Sequence, residues 1–323
     1  SSVEELYEHG YCATGEDCAR VSIESGLDIE MGSTVYAGLL PKLVREGVIS
    51  EEKLDESVLR VLELKNKLGM YENPDRYTDT KKRDEITLSE SARDLVRKAA
   101  EESCVLLKND GILPLRENAK VAFVGPFVEE REIIGNWSKK ARMEDTVSVK
   151  EGVEKLLKHA VPSARGCSWK LFDIDESGFE EAEKVCKDAD FIVACVGEHM
   201  LNSGEAHSRT DIRIPEIQRK FVARLHKLNK PLALVVFGGR PLALSDVEKL
   251  ADAILYVWQP GTEGGNAIAN LIYGKANPCG KTVMSFPRSS GQCPIYYNHF
   301  STARPKRKDI PSFYSDERFR SGY

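Results

Sequence analysis

Apolar and polar residues alternate in blocks along the second part of the chain. Four short runs are apolar almost throughout, namely VAFVGP, FIVACVG, PLALVVFGG and AILYVW. Amphipathic segments such as GFEEAEKVCKDA, PEIQRKFVARLHKL and EGGNAIANLIYG separate them. Strands that are apolar on both faces are typical of parallel sheets with helices on each side. The pattern therefore predicts a doubly wound α/β sandwich over residues 87–323.

The first 70 residues have a different pattern. GEDCARVSIESG predicts a short helix that ends at Gly26, LDIEM a short buried strand, and SEEKLDESVLRVLELKNKLG a long amphipathic helix. Ser50 is a natural N-cap for the long helix, with Glu51 in its first turn. Residues 71–86 are polar, aperiodic and interrupted by a proline, which predicts a surface linker at a domain boundary.

Length and charge narrow the class of protein. At 323 residues the chain is too long for one ordinary core, so we expect about two domains. The net charge is −5, and the chain has no long stretch of charges of one sign. Both features argue against nucleic acid as a partner. The apolar runs are far shorter than the roughly 18 residues of a membrane helix. The opening SSVEELYEHG has no signal-peptide pattern, and it leaves the localisation undetermined.

The eight cysteines form no CxxC pair and mostly lie in apolar segments. This predicts buried free thiols rather than a metal site or a disulfide framework. Cys12 and Cys18 are the one local pair with a spacing that a disulfide could bridge.

The predicted strand ends are where a ligand site is expected, because ligands bind at the carboxyl ends of parallel strands. These ends carry Gly125-Pro126, Gly197-Glu198, Gly238-Gly239-Arg240 and Trp258-Gln259-Pro260-Gly261. None of them has a GxGxxG or Walker sequence, which weakens a flavodoxin-like nucleotide-binding interpretation.

The segment from Glu198 to Arg213 is about sixteen residues long, whereas roughly two to six connect a strand to a helix. It contains Glu205, His207 and Arg209, so it can hold a carboxyl group on a movable loop. A solvated loop whose charges pair among themselves is the equal alternative.

Trp137, in GNWS, has polar neighbours although indole is costly to expose. An aromatic platform for a sugar ring and an indole packed under a loop are both compatible with this.

Many segments, in order, resemble one known family. They are GLDIEM, KNKLGMYENP, SARDLVRKAAEESCVLLKNDGILPL, VAFVGP, GNWS, VGE, SGEAHSRTDIRIPEIQR, GRPLAL, WQPGTEGGNAIANLIYGKANPCGKTVMSFPRS and IYYNH. The chain resembles glycoside hydrolase family 3, and within it the bacterial periplasmic β-glucosidases. The resemblance runs from Ser1 almost to the end of the chain.

The resemblance implies a (β/α)₈ barrel followed by an α/β sandwich, with the active site between them. Residues 1–70 are then the last part of the barrel, and LDIEM is its eighth strand. The nucleophile of the family is an aspartate in a Ser-Asp-Trp or Ser-Asp-His motif, which we expect just upstream of Ser1. We therefore expect the 323 residues alone to be nearly inert.

Glu205 resembles the acid/base of the family by its place in SGEAHSRTDI. Retaining glycosidases hold two carboxyl groups about 5 Å apart, one as nucleophile and one as acid and then base. Glu198 is the rival, but it resembles a structural residue of the family. An arginine beside Glu205 would lower its pKa, so we expect Arg209 to contact substrate or another carboxylate, or to point elsewhere.

The resemblance also assigns residues to substrate binding. Trp137 aligns with a tryptophan that walls the leaving-group subsite. Met31, at the end of the expected eighth strand, is a candidate to line the sugar pocket, and a core methionine is the default alternative. We expect His207 and Arg209 to shape the loop, tune Glu205 or contact substrate.

The expected activity is that of a retaining exo-β-glucosidase acting on β-glucosides or oligosaccharides. Two carboxylates suffice for this reaction, so no metal and no organic cofactor is expected. The expected partner of this chain is the remainder of the barrel. Periplasmic or extracellular localisation is implied by the resemblance only. A β-xylosidase of the same family and a non-catalytic carbohydrate-binding or interaction module remain alternatives.

Overall fold

The computed structural model describes residues 2–138 and 141–296. It divides the chain into two compact units, Ser1–Thr87 and Leu88–Tyr323. Within the described ranges, none of the helices combines the length and the apolar character that crossing a bilayer requires.

All regular secondary structure among the described residues of the first unit is helical. Its helices are α1 (Glu5–Glu8), α2 (Gly15–Glu24), α3 (Val35–Arg45), α4 (Glu51–Lys67) and α5 (Thr80–Ile86). Ser50 caps α4 as predicted, because its side-chain oxygen accepts the backbone N–H of Lys53 at 3.2 Å. Helices α2 and α3 and the start of α4 enclose a small core that includes Cys18, Ala19, Ile23, Tyr36, Leu40, Leu43 and Ile49.

The prediction that LDIEM forms a strand is wrong. The segment has no regular secondary structure, and Leu27, Ile29 and Met31 are exposed. An extended segment becomes a strand only when a neighbour completes its hydrogen-bond ladder, and no strand exists among the described residues of this unit. Asp28 is fixed instead by hydrogen bonds from Ser57 and Arg60, at 2.9 and 2.7 Å.

One further expectation for this unit needs adjustment, whereas the thiols of its two cysteines are as predicted. The predicted linker 71–86 contains α5, which forms because the Asp79 side chain accepts the backbone N–H of Lys82 at 3.0 Å. Cys12 and Cys18 are not bridged; both thiols are free and buried, and burial raises the pKa of Cys18.

The second unit is built on a six-stranded sheet. The strands are β1 (Val105–Asn109), β2 (Val121–Val124), β3 (Ser163–Ala164), β4 (Phe191–Gly197), β5 (Leu232–Phe237) and β6 (Ala253–Trp258). Their order is β1-β6-β5-β4-β2-β3, and every pair is parallel except β1 with β6. The four apolar runs are β2, β4, β5 and β6, which confirms the predicted sandwich, whereas the two outer strands were not predicted.

Helices cover both faces of this sheet. They are α6 (Glu90–Ser103), α7 (Val149–Leu157), α8 (Phe179–Lys187), α9 (Glu216–His226), α10 (Ser245–Glu248) and α11 (Gly264–Ile272). Alternate strand residues point to opposite faces, so Val193 packs toward α7 and α11 while Ala194 packs toward α8 and α9. Two apolar cores result, one on each side of the sheet, and both depend on strands that are apolar at every position.

A buried glutamine fixes the carboxyl end of the central strand β4. The side chain of Gln218, on α9, accepts the backbone N–H of Gly197 at 2.7 Å and donates to its carbonyl at 3.0 Å. Gln218 is fully buried, so these bonds satisfy groups that water does not reach. The long segment that starts at Glu198 therefore leaves the sheet from a fixed point.

We expect Gln218→Leu to lower the free energy of unfolding of the second unit by about 2–4 kcal/mol, because it leaves two buried backbone groups of Gly197 unpaired. Urea unfolding followed by tryptophan fluorescence measures this, since all three tryptophans lie in that unit. The surface variant Lys220→Gln, two positions along the same helix, should change the free energy by less than about 0.5 kcal/mol. Equal effects of the two variants would contradict the role of Gln218.

Candidate functional site

The segment that follows β4 begins with a buried carboxylate. Glu198 is 1% exposed, and its two oxygens meet two guanidinium groups. Arg209 Nη1 lies 2.7 Å from Oε1, and Arg240 Nε lies 3.1 Å from Oε2. A buried carboxylate is strongly destabilising unless it is paired and hydrogen-bonded, and here both oxygens are paired. Arg209 thus contacts another carboxylate, as one of the expected alternatives stated.

The two arginines also bind backbone carbonyls of the same segment. Arg240 Nη2 donates to the carbonyl oxygens of Asn202 and His207, at 2.6 and 2.9 Å. Arg209 Nη2 donates to the carbonyl of Arg213 at 3.2 Å. The segment is therefore folded back on the end of β4 at several points along its length.

Glu205 lies in a tight turn inside this segment. The backbone N–H of His207 donates to the carbonyl of Gly204 at 3.2 Å, which closes the turn. Ala206 has φ +60° and Gly204 has φ +101°, the left-handed region in which glycine is favoured. The side chain of Glu205 is exposed at this turn. A carboxyl group is thus presented outward on a backbone that is fixed.

Ser203, just before the turn, is the point where the other strand ends meet the segment. Its carbonyl accepts from Asn136 Nδ2 at 3.1 Å, and its hydroxyl oxygen accepts from Gln259 Nε2 at 3.1 Å. A Cβ on Gly239 would lie 2.2 Å from Ser203 Oγ, so only glycine permits this approach. The segments after β2, β5 and β6 therefore converge on Ser203.

The remaining predicted site residues lie at different places. Trp137 is 63% exposed and directly follows Asn136, whose side chain binds Ser203. His207 is exposed on the far side of the turn. Met31 is 68% exposed in the first unit. Glu205, His207 and Arg209 lie in one segment, and Asn136, the residue before Trp137, binds this segment at Ser203.

Sequence reasoning did not assign a role to Arg240, Asn136, Gln259 or Ser203. Their positions at or just beyond the strand ends were the available signal, because the carboxyl ends of neighbouring parallel strands converge. Nothing in the local sequence indicates that the Arg240 side chain contacts residues of the preceding strand connection.

Among the described residues, Glu130, Glu132 and His199 offer ligand atoms within 4.8 Å of one another. His199 Nδ1 accepts the backbone N–H of Leu201 at 3.3 Å, which leaves the proton on Nε2. Nε2 lies 2.9 Å from Glu132 Oε2. A metal-binding imidazole has its lone pair toward the metal and donates its other N–H, which is the opposite arrangement. We therefore assign His199 as a histidine whose Nε2 carries a proton and lies beside two carboxylates.

A second group of charges stabilises the end of the segment. Arg213 binds the carboxylate of Asp211 at 2.7 Å and that of Asp246 at 3.2 Å, and Arg219 binds Asp246 at 2.7 Å. Hydrogen bonds from Arg213 hold the pKa of Asp211 well below its ordinary range. These ion pairs are partly exposed and do not contact the Glu205 turn.

A doubly wound sandwich that presents a carboxyl group on a fixed turn, at the carboxyl edge of its sheet, has the architecture of a ligand-facing domain of an α/β enzyme. Residues 104–323 match the sequence model described as the glycosyl hydrolase family 3 C-terminal domain. The chain belongs to glycoside hydrolase family 3.

Individual relatives agree with this assignment. The chain is 37% identical to the periplasmic β-glucosidase of Salmonella typhimurium, over 98% of the chain and 45% of that protein. It is 30% identical to a β-xylosidase of Formosa agariphila, over 87% of the chain and 41% of that protein. The crystal structure of a β-glucosidase from Listeria innocua with isofagomine superposes with a TM-score of 0.88 at 37% identity, over 95% of the chain and 42% of that structure. The chain thus spans less than half the length of these relatives.

We expect the second unit to lose stability as the pH falls below about 6.5, the ordinary pKa of histidine, and His199 to contribute to the loss. Burial lowers the pKa of His199, and the charges of Glu130 and Glu132 oppose this without reversing it. The folded state therefore binds the proton less readily than the unfolded chain, whose histidine has a pKa of about 6.5. Stability from this group is complete above that value and falls as the pH approaches the folded pKa.

His199→Asn should make the urea midpoint less dependent on pH across this range. His226→Asn, which changes an exposed histidine, should leave the dependence as it is in the parent protein. Identical pH dependence in His199→Asn and the parent would show that the buried imidazole does not contribute.

Proposed function

We propose that this chain is the acid/base-bearing part of a retaining β-glucosidase and that Glu205 is the acid/base. The observation that carries the proposal is the contrast between the backbone and the side chain at this residue. The turn is closed by the His207–Gly204 hydrogen bond and anchored at Ser203, while the carboxyl group itself is exposed. A general acid needs a defined position and direct access to its substrate.

Glu198 does not meet the second requirement. Its side chain is inaccessible, and both of its oxygens face guanidinium groups. A carboxylate in that position cannot reach a glycosidic oxygen, and neutralising it would leave two arginines without their shared partner. We assign Glu198 to holding the loop.

The proposed chemistry is a double displacement at the anomeric carbon. In the first step Glu205 donates its proton to the glycosidic oxygen while a second carboxylate attacks the anomeric carbon, and the aglycone leaves. In the second step the Glu205 carboxylate takes a proton from water, whose oxygen displaces the second carboxylate and releases the sugar. We propose that the second carboxylate comes from a barrel outside these 323 residues, since the relatives are more than twice as long.

The other predicted site residues take supporting roles in this proposal. Trp137 forms a wall for the leaving group, because its exposed indole follows the residue that anchors Ser203. Arg209 holds the loop through Glu198 and Arg213, and His207 offers an exposed imidazole beside the acid/base. Met31 is exposed in the first unit, and its assignment to the sugar pocket stays a prediction from the family resemblance.

The substrate class we propose is a terminal β-linked glucose. The relatives from Salmonella typhimurium and Listeria innocua are β-glucosidases, and the former is periplasmic, which supports that localisation here. β-Xylosidase activity is the second candidate, supported by the relative from Formosa agariphila. A comparison of aryl β-glucosides with aryl β-xylosides by the complete polypeptide distinguishes the two.

Glu205→Gln in the complete polypeptide should reduce kcat/KM for cellobiose by about 10²- to 10⁴-fold, because its alkoxide leaving group requires a proton. For 2,4-dinitrophenyl β-glucoside the loss in kcat/KM should be less than about tenfold, since this leaving group departs without protonation. Steady-state kinetics on both substrates measures the difference. Glu216→Gln, an exposed change at the start of α9, should preserve both values. Equal losses on the two substrates would exclude Glu205 as the general acid.

Trp137→Ala should raise KM for aryl β-glucosides by about two- to tenfold, the range expected for the loss of one aromatic contact. Trp137→Phe should retain most of the affinity because it keeps a ring at this position. Methyl β-glucoside, whose aglycone has no ring, should show little change with either variant. An unchanged KM for the aryl substrates in Trp137→Ala would rule out the leaving-group wall.

A further inference from the structure

Arg240 follows β5 after two glycines, and its own backbone is firmly held. Its carbonyl accepts the hydroxyl of Tyr256 at 2.5 Å, and Tyr256 is fully buried on β6. The ring of Tyr256 packs edge-on against Trp258 and Phe286, with centroids 4.8 and 5.0 Å apart. The arginine therefore projects from a rigid part of the sheet edge.

The guanidinium of Arg240 joins three separate acceptors. Nε binds the Glu198 carboxylate, and Nη2 donates to the carbonyls of Asn202 and His207. These two carbonyls stand three residues before and two residues after Glu205. Because a guanidinium is a planar fork with fixed donor directions, one side chain fixes both sides of the turn at once.

Glu198 sets the orientation of that fork. Its buried carboxylate accepts from Arg240 on one oxygen and from Arg209 on the other, so the Arg240 plane cannot rotate without separating a buried ion pair. The anchors from Asn136 and Gln259 act only on Ser203, before the turn. On the far side, the carbonyl of His207 is bound by Arg240.

The position of the turn matters for proton transfer. A general acid must approach the reacting oxygen to about 3 Å, and a displacement of about 1 Å can cost roughly 10²-fold in rate. Ala206 has a positive φ, a conformation that is unfavourable for a residue with a Cβ and that the surrounding contacts must hold. Without the bond at the His207 carbonyl, the next anchor after the turn is the Arg209–Glu198 pair, two residues further along.

We propose that Arg240 is a positioning residue for the acid/base: oriented by Glu198, it fixes the backbone on both sides of Glu205. The inference rests on the proposed role of Glu205. It assigns no direct contact between Arg240 and substrate.

Arg240→Lys in the complete polypeptide tests this. Lysine keeps a positive charge beside buried Glu198, but its single nitrogen cannot occupy the positions of both Nε, which binds the carboxylate, and Nη2, which binds the two carbonyls. We expect kcat/KM for cellobiose to fall about tenfold or more, and kcat/KM for 2,4-dinitrophenyl β-glucoside to fall less than about threefold. The variant should thus show a weaker form of the leaving-group dependence expected for Glu205→Gln. We expect its KM for cellobiose to stay within about twofold of the parent value.

Arg213→Lys is the matched control. It changes an arginine of the same segment that pairs with Asp211 and Asp246 but does not bind the carbonyls beside Glu205. Its effect on the two substrates should be equal. Glu198→Gln keeps the side-chain volume but loses the charge that orients Arg240. It should show the same leaving-group dependence as Arg240→Lys. If Arg240→Lys does not fold, Glu198→Gln tests the positioning role in its place.

Equal losses on both substrates in Arg240→Lys, whether or not its thermal unfolding temperature falls, would overturn the positioning role and leave a structural one. If Glu205→Gln shows the leaving-group dependence and the folded Arg240→Lys does not, only the positioning role fails. If Glu205→Gln itself lacks the dependence, the proposed function fails, and the positioning role fails with it.

Discussion

The candidate site depends on one interaction, the buried carboxylate of Glu198 between Arg209 and Arg240. Removing a carboxylate from water is unfavourable by several kcal/mol unless partners compensate, and these two arginines supply the compensation. One comes from eleven residues further along the same segment and the other from the end of β5. Satisfying this one charge therefore closes a long connection on itself and attaches it to the sheet.

The sheet makes that attachment possible. Parallel strands end at the same edge, so the segments after β2, β4, β5 and β6 start close together although they are far apart in sequence. Gln218 holds the end of β4 from the helix layer, and Tyr256 holds the backbone of Arg240 from β6. The two apolar cores keep these anchor points fixed relative to each other.

Glu198 and Glu205 show how one segment gives two carboxyl groups different uses. The former is buried, paired on both oxygens and suited to holding structure; the latter is exposed on a turn whose backbone is bound on either side. An acid/base has to exchange protons with substrate and water, which a fully paired and buried group cannot do. The exposed turn keeps the Glu205 carboxyl group accessible.

The sequence by itself determined the four central strands, the N-cap of α4 and the unusual length of the 198–213 segment, because apolar runs, capping side chains and loop length are local properties. It pointed to Glu205 through family resemblance. LDIEM has strand-like residues but no ladder partner in its unit, and the edge strands β1 and β3 are defined only by pairing with their neighbours. Only the tertiary structure decided that Arg240 and Gln259 reach the segment that carries Glu205, because contacts between residues distant in sequence arise where parallel strands end together and leave no local pattern.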